Sequence, residues 1–198
     1  MSKHYAVFTM DKQKGNGGGL SAHIERVVWD AKENKMGKYT PSSVVNPDST
    51  CLNKNYLLPN GGQSRTKAIE DRIKEAGITR KIKADAVKCL TIICTSDHEK
   101  MMEIEKAGRI DEWAKDCISF CQKEFGEANV VSAALHMDET TPHLHISVVP
   151  IVNSQAKKRT VKGEAEDKIK RRYKKQEIKA RLCAKEVFTP SNSVRWQT

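Results

Sequence analysis

The 198-residue sequence lacks a CxxC pair, a long apolar run, an internal repeat and a balance of charge, and each absence removes a class of protein. Its six cysteines are scattered, and several sit in apolar stretches such as "KCLTIICT". They read as buried thiols in a reducing compartment rather than a disulfide frame or a zinc cluster. No window approaches the roughly 20 apolar residues of a membrane span, and "MSKHYAVFTMDKQKG" holds no signal-peptide core, so the expected location is cytoplasmic. The glycine-rich "DKQKGNGGGL" lacks the G-K-[ST] ending of a phosphate loop, which argues against NTP binding. Acidic residues are the scarcer charge, 25 against 35 Lys and Arg, and the resulting net charge of +10 fits a polyanionic partner.

Hydrophobic periodicity marks the elements. "KHYAVFTM" (3–10) alternates as a strand, and "LSAHIERVVWD" (20–30) reads as a helix with Leu20, Ile24, Val27 and Val28 on one face and His23, Arg26 and Asp30 on its flank. Residues 31–62 are turn-rich. "SRTKAIEDRIKEAG" (64–77) is a helix with a Ser cap and a terminal Gly. "AVKCLTIICT" (86–95) is a central strand, 97–125 a long helix, 128–136 and 143–152 a strand pair, and about 157–187 a basic helical tail. The expected fold is α+β, a single domain over 1–198 with a largely antiparallel five-stranded sheet flanked by helices.

The densest chemistry lies in "LHMDETTPHLHISVVP" (135–150), which holds three of the chain's six histidines. Residues two apart on a strand share a face, so His143 and His145 project together, and a hairpin brings His136 opposite them. Three neutral imidazoles can hold a divalent metal and leave positions open, the arrangement of a catalytic site. Such a donor set suits manganese, zinc, cobalt or nickel. In the loop, Asp138 can serve as a ligand, a carboxylate that fixes a histidine tautomer, or a turn-former, whereas the longer Glu139 can reach back over a metal.

"HMDETTPHLH" resembles the third motif, H-x-D-E-x-x-P-H-x-H, of the Mob/Pre (MobV-type) plasmid mobilisation relaxases, a branch of the HUH endonucleases. "HIER" (His23 to Arg26) is similar to the same family's first motif, H-x-x-R. "CLNKNYLL" (51–58) falls where the family has an Asn-Tyr motif, with Cys51 at a position often occupied by His. The resemblance implies an HUH-like domain, the N-terminal catalytic part of a longer protein. It implies site- and strand-specific nicking and rejoining of DNA at an origin of transfer, with His23 as nucleophile forming a 5′-phosphoramidate. Arg26 would clamp the phosphate, Glu139 would accept a proton or hydrogen bond from His23, and His136, His143 and His145 would hold the metal. Manganese comes first by this likeness and magnesium second.

Around this core, Arg80, Lys81 and Lys83 precede a central strand, and Lys170, Arg171, Arg172, Lys174 and Lys175 lie in the basic tail. Both groups are read as contacts to DNA phosphates. The glycine loop reads as a hinge that admits the DNA backbone. Tyr39 and Tyr56 are rival nucleophiles, and Trp29 is read as core. Partners under this reading are an origin-of-transfer hairpin with its adjacent single strand, a coupling protein, and a second copy engaged through a C-terminal region. A rolling-circle replication initiator and a histidine-metal oxygenase are the competing readings.

Overall fold

Strand sequences that are apolar on one face and polar on the other organise the molecule. The computed structural model describes residues 6–14, 18–30, 35–40, 42–58, 64–78, 80–154 and 178–188. Its five-stranded sheet has the order β1 (Ala6–Lys14), β5 (Val87–Ser96), β7 (His143–Val148), β6 (Val130–His136) and β4 (Lys54–Asn55), and every pairing is antiparallel. One face carries Leu90, Ile92 and Cys94 of β5, Ala133 and Leu135 of β6, and Leu144, Ile146 and Val148 of β7. Helix α4 (Ile110–Phe125) lays Ala114, Ile118, Cys121 and Phe125 against them. Each fully buried Leu or Ile there stabilises the fold by about 1.5–3 kcal/mol, so this layer fixes the sheet's register.

The opposite face is polar. Register pairs Thr91 with Ser147, Ile93 and Ala134 with His145, and His136 with His143, so these side chains stand on one side. Two helices cover it, α1 (Gly18–Glu25) and α2 (Arg65–Glu75). The Ser64 side chain caps α2 by accepting from the Lys67 N–H, as its sequence predicts. Among the described residues, no helix is long and apolar enough to cross a membrane.

Four expectations are corrected. The helix expected over 20–30 stops at Glu25, because Arg26 takes a left-handed backbone (φ 54°). Val27–Asp30 then forms β2, paired with β3 (Lys35–Lys38), and the Val-Val-Trp run follows its strand preference, so Asp30 does not lie on the His23 flank. The helix expected over 97–125 is two, α3 (His98–Lys106) and α4, broken at Gly108, whose φ of 69° favours glycine. The strand expected over 143–152 ends at Val148 before Pro150, and Ile151–Ser154 forms β8 of a separate ribbon. That ribbon pairs with β9 (Lys179–Leu182), inside the stretch expected to be helical; helix α5 covers only Ala184–Val187. Ala180 and Leu182 pack with Ile69, Cys89, Val149 and Ile151, a burial that outweighs local helix preference. Residues 155–177, and with them Lys170, Arg171, Arg172, Lys174 and Lys175, lie outside the described residues.

A buried cation joins the polar face to its helices. Arg65, fully buried at the start of α2, donates through Nε to Ser147 Oγ (2.7 Å) and through Nη1 to Ser21 Oγ (2.8 Å). Its Nη2 donates to Gln13 Oε1 (2.6 Å) and Thr91 Oγ1 (2.9 Å). Its backbone N–H donates to Glu25 Oε1 (2.5 Å), so α1 is tied down on either side of His23, at Ser21 and at Glu25. Removing the guanidinium strands several buried acceptors, each worth about 1–3 kcal/mol. Arg65→Met should therefore lower unfolding stability by about 3 kcal/mol or more, read as a shift of the urea midpoint; a loss under about 1 kcal/mol would contradict this role.

Candidate active site

The hairpin between β6 and β7 delivers its histidines as strand geometry requires. Ring centroids of His136 and His143 stand 5.2 Å apart, those of His136 and His145 4.7 Å, and those of His143 and His145 4.9 Å. From α1, His23 brings a fourth imidazole, 5.5 Å from His136 and 5.7 Å from His145. The structure thus gathers His23, His136, His143, His145 and Glu139 into one pocket.

Hydrogen bonds to carbonyls, which only accept, assign the tautomers. His143 donates from Nδ1 to Thr141 O (2.9 Å), and His136 donates from Nε2 to Ile24 O (2.9 Å). His143 Nε2 and His136 Nδ1 therefore carry the lone pairs that face the cluster. The Nε2 atoms of His143 and His145 lie 3.2 Å apart. Two nitrogens bound to one first-row ion at about 2.0–2.1 Å stand about 3 Å from each other, so this spacing fits shared coordination. Burial pushes the His145 imidazole down to about 2, helped by His136 and His143. Burial also pushes His136 down to about 4, with Arg26 and His143 acting in the same direction against the Ile24 hydrogen bond. Both rings are neutral at pH 7, the form that binds metal. His145 Nδ1 is buried and has no partner among the described residues. A donor set of three imidazoles with a carboxylate beside it fits a divalent metal.

Arg26 sits at the centre of the remaining polar groups, with a side chain only 7% exposed. It grips Asp138 with two bonds, Nε to Oδ2 (2.9 Å) and Nη2 to Oδ1 (2.8 Å). Nη2 also donates to Glu139 Oε1 (2.6 Å) and lies 3.1 Å from His136 Nδ1, and Nη1 donates to His23 O (2.7 Å). Burial opposes the charge of Asp138, yet the Arg26 hydrogen bonds hold its carboxyl well below the usual carboxylate range. Asp138 also accepts from Thr50 Oγ1 (3.0 Å), and its carbonyl accepts from Asn46 N–H (2.7 Å), which fastens the 42–53 segment to the site. None of its three readings from sequence describes this contact, a carboxylate that orients an arginine. The left-handed backbone of Arg26 costs about 1–3 kcal/mol, which this ion-pair network offsets.

His23 Nε2 faces Glu139 Oε1 at 3.7 Å, and His23 Nδ1 faces Arg26 Nη1 at 3.1 Å and Tyr39 Oη at 3.3 Å. Burial, followed by the Arg26 charge, lowers the His23 pKa, so this ring too is neutral at pH 7. Glu139 Oε1 is also 3.7 Å from His136 Nδ1, and Oε2 is 4.0 Å from His143 Nε2. Burial opposes its ionisation, but Arg26 and His143 hold its pKa below the usual range.

The rival tyrosines separate. Tyr39 reaches the site, its ring 5.7 Å from the Arg26 guanidinium carbon. Tyr56 packs with the α4 layer on the other side of the sheet and donates its hydroxyl to Asp111 (2.5 Å). Arg80, Lys81 and Lys83 are exposed, but they lead into the end of β5 that pairs with Lys14, whereas the histidine row lies beside Ile93 and Cys94. The structure does not bring them to the pocket. Arg65 escaped the sequence reading, since its partners come from separate segments; the Ser cap just before it was the only local signal.

A polar-faced antiparallel sheet with an H-x-H strand and a helix-borne fourth histidine defines the class as an HUH-type domain. The chain belongs to the Mob_Pre family, described as plasmid recombination enzyme, whose model matches residues 2–188. It is 34% identical over 155 residues to the plasmid recombination enzyme of Streptococcus agalactiae, a match covering 76% of this chain and 29% of the relative. The corresponding enzyme of Bacillus thuringiensis is 36% identical, covering 74% of this chain and 31% of the relative. The chain thus spans about a third of the length of the curated relatives it matches. Among solved structures, it is similar to the MobM relaxase domain bound to pMV158 oriT DNA with Mn. That match has a TM-score of 0.69 and 25% identity, and covers 96% of this chain and 80% of MobM's.

Acid should loosen this pocket in the metal-free protein. His136 titrates near 4 when folded and near 6.5 when unfolded, so between those values the unfolded chain binds the extra proton. Stability should therefore be full above about pH 6.5 and decline as the pH falls towards 4, read as the denaturant midpoint in the presence of EDTA. A midpoint that stays flat across this window would contradict buried neutral imidazoles.

Proposed function

We propose that this chain nicks one DNA strand at an origin of transfer and later rejoins it, the step that starts mobilisation of a plasmid or transposon. The observation that carries the reading is the imidazole of His23, neutral and facing the histidine row across 5.5–5.7 Å. The family match and the likeness to MobM bound to oriT DNA support the substrate class.

In this reading His23 Nε2 attacks phosphorus, an N–P bond forms, and the P–O3′ bond breaks with its electron pair leaving on O3′. The product is a 5′-phosphoramidate, whose stored energy permits rejoining. Attack needs the lone pair on Nε2. Arginine can only donate, so Nδ1 accepts from Arg26 Nη1 and the neutral ring carries its proton on Nε2, which must give it up as the N–P bond forms. Glu139, 3.7 Å from Nε2, takes the proton when that nitrogen carries one. Arg26 places positive charge beside the attacked phosphate and aligns Glu139 with His23. Held by His136, His143 and His145, a divalent ion, manganese first, would supply Lewis-acid polarisation of a non-bridging phosphate oxygen. The partners under this reading are origin DNA and the coupling protein of a conjugation apparatus. Arg80, Lys81 and Lys83 would meet duplex phosphates away from the nick.

The test is nicking of supercoiled DNA carrying a candidate transfer origin. Nicking should need manganese, stop with EDTA, and fall by about a thousandfold or more in His23→Ala. Activity that survives in His23→Ala would refute the nucleophile assignment. Glu139→Gln should slow nicking about a hundredfold while leaving manganese affinity within about threefold. An equal loss of both would make Glu139 a metal ligand instead.

A further inference from the structure

His23 belongs to a second donor set that overlaps the first. Donor atoms of His23, His136 and His145 lie within 4.8 Å of one another, and so do those of His136, Glu139 and His143. The sets share His136 and differ in chemistry: one is all nitrogen, the other two nitrogens and a carboxylate. Imidazole-rich sites hold zinc, nickel and copper more tightly than manganese, which is served well by carboxylate and phosphate oxygens. His23 stands at the rim of the pocket with its side chain 30% exposed, while His136 and His145 are buried, and its donor atom is already within 4.8 Å of theirs. Its Nε2 faces inward, 3.7 Å from Glu139, and its Nδ1 is engaged by Arg26 and Tyr39, so Nε2 is the nitrogen placed to meet an ion once its proton is given up.

We propose that, without DNA, zinc or an ion of its class binds across His23, His136 and His145, so that the nucleophile becomes a ligand and nicking is shut off. This rests on the reading of His23 as the attacking group. Three nitrogen lone pairs replace three waters on the hydrated ion, with no redox change. The lone pair that would form the N–P bond is then held in a metal–nitrogen bond. Manganese, held by His136, His143 and His145 and completed by water or phosphate oxygens, leaves that lone pair free. The pocket thus discriminates between an activating and a silencing metal by whether the ion takes His23 as a ligand.

Zinc binding is measured on the whole chain by competition with a chromophoric chelator, for wild type, His23→Ala and His23→Gln, with circular dichroism to verify folding. Loss of one nitrogen ligand should weaken zinc binding about tenfold or more in both variants. Cobalt, a coloured substitute for zinc, should change its visible spectrum between wild type and variants. Manganese affinity, read by electron paramagnetic resonance, should stay within about twofold. One equivalent of zinc should also stop nicking supported by excess manganese. Equal zinc affinities with matching cobalt spectra would overturn the proposal, as would manganese binding that weakens as much as zinc binding. A covalent adduct found on a tyrosine would instead defeat the nucleophile reading while leaving the zinc result standing.

Discussion

The bidentate grip of Arg26 on Asp138 is the constraint on which the pocket depends. Arg26 follows the last residue of α1 and Asp138 lies two residues beyond the end of β6, so the pair fixes helix to hairpin where the histidines meet. The same guanidinium holds Glu139, the His23 carbonyl and His136. Its left-handed backbone turns the chain from α1 into β2, and Tyr39, just beyond β3, meets His23. A lysine could not replace it, because one point charge cannot satisfy a forked carboxylate and two further acceptors at once.

A sheet with one apolar and one polar face makes such a site affordable. The α4 layer supplies the hydrophobic stabilisation, which frees the other face to bury imidazoles, an arginine and hydroxyls in a satisfied network. Arg65 anchors α1 at Ser21 and Glu25, on either side of His23, while Ile24 gives its carbonyl to His136. The helix that carries the fourth histidine is held by polar bonds along its length, with Ile24 its one buried apolar side chain among those described.

The histidine row was legible because the period of a strand leaves little choice. His143 and His145 must share a face, and a hairpin must set His136 against them. The five-stranded sheet and the Ser64 cap were legible for similar local reasons. The end of α1 was not. Val27 and Val28 suit a helix stripe and a strand equally, and what ends the helix is the conformation of Arg26, set by a carboxylate more than a hundred residues away. Arg65 was illegible for the same reason, since Gln13, Ser21, Thr91 and Ser147 have no sequence relation to it. β9 was misread because its lysine- and arginine-flanked sequence has helix preference, and only burial against Ile69 and Val149 decides otherwise. Residues fixed by neighbours in sequence could be read; those fixed by neighbours in space could not.

The central claim is that the group joined to DNA is the imidazole on α1. It is tested most directly by trapping the covalent complex with origin DNA, digesting it and locating the modified residue by mass spectrometry. The account predicts an acid-labile phosphoramidate on His23. An acid-stable phosphodiester on Tyr39, the tyrosine that shares the pocket, would contradict it.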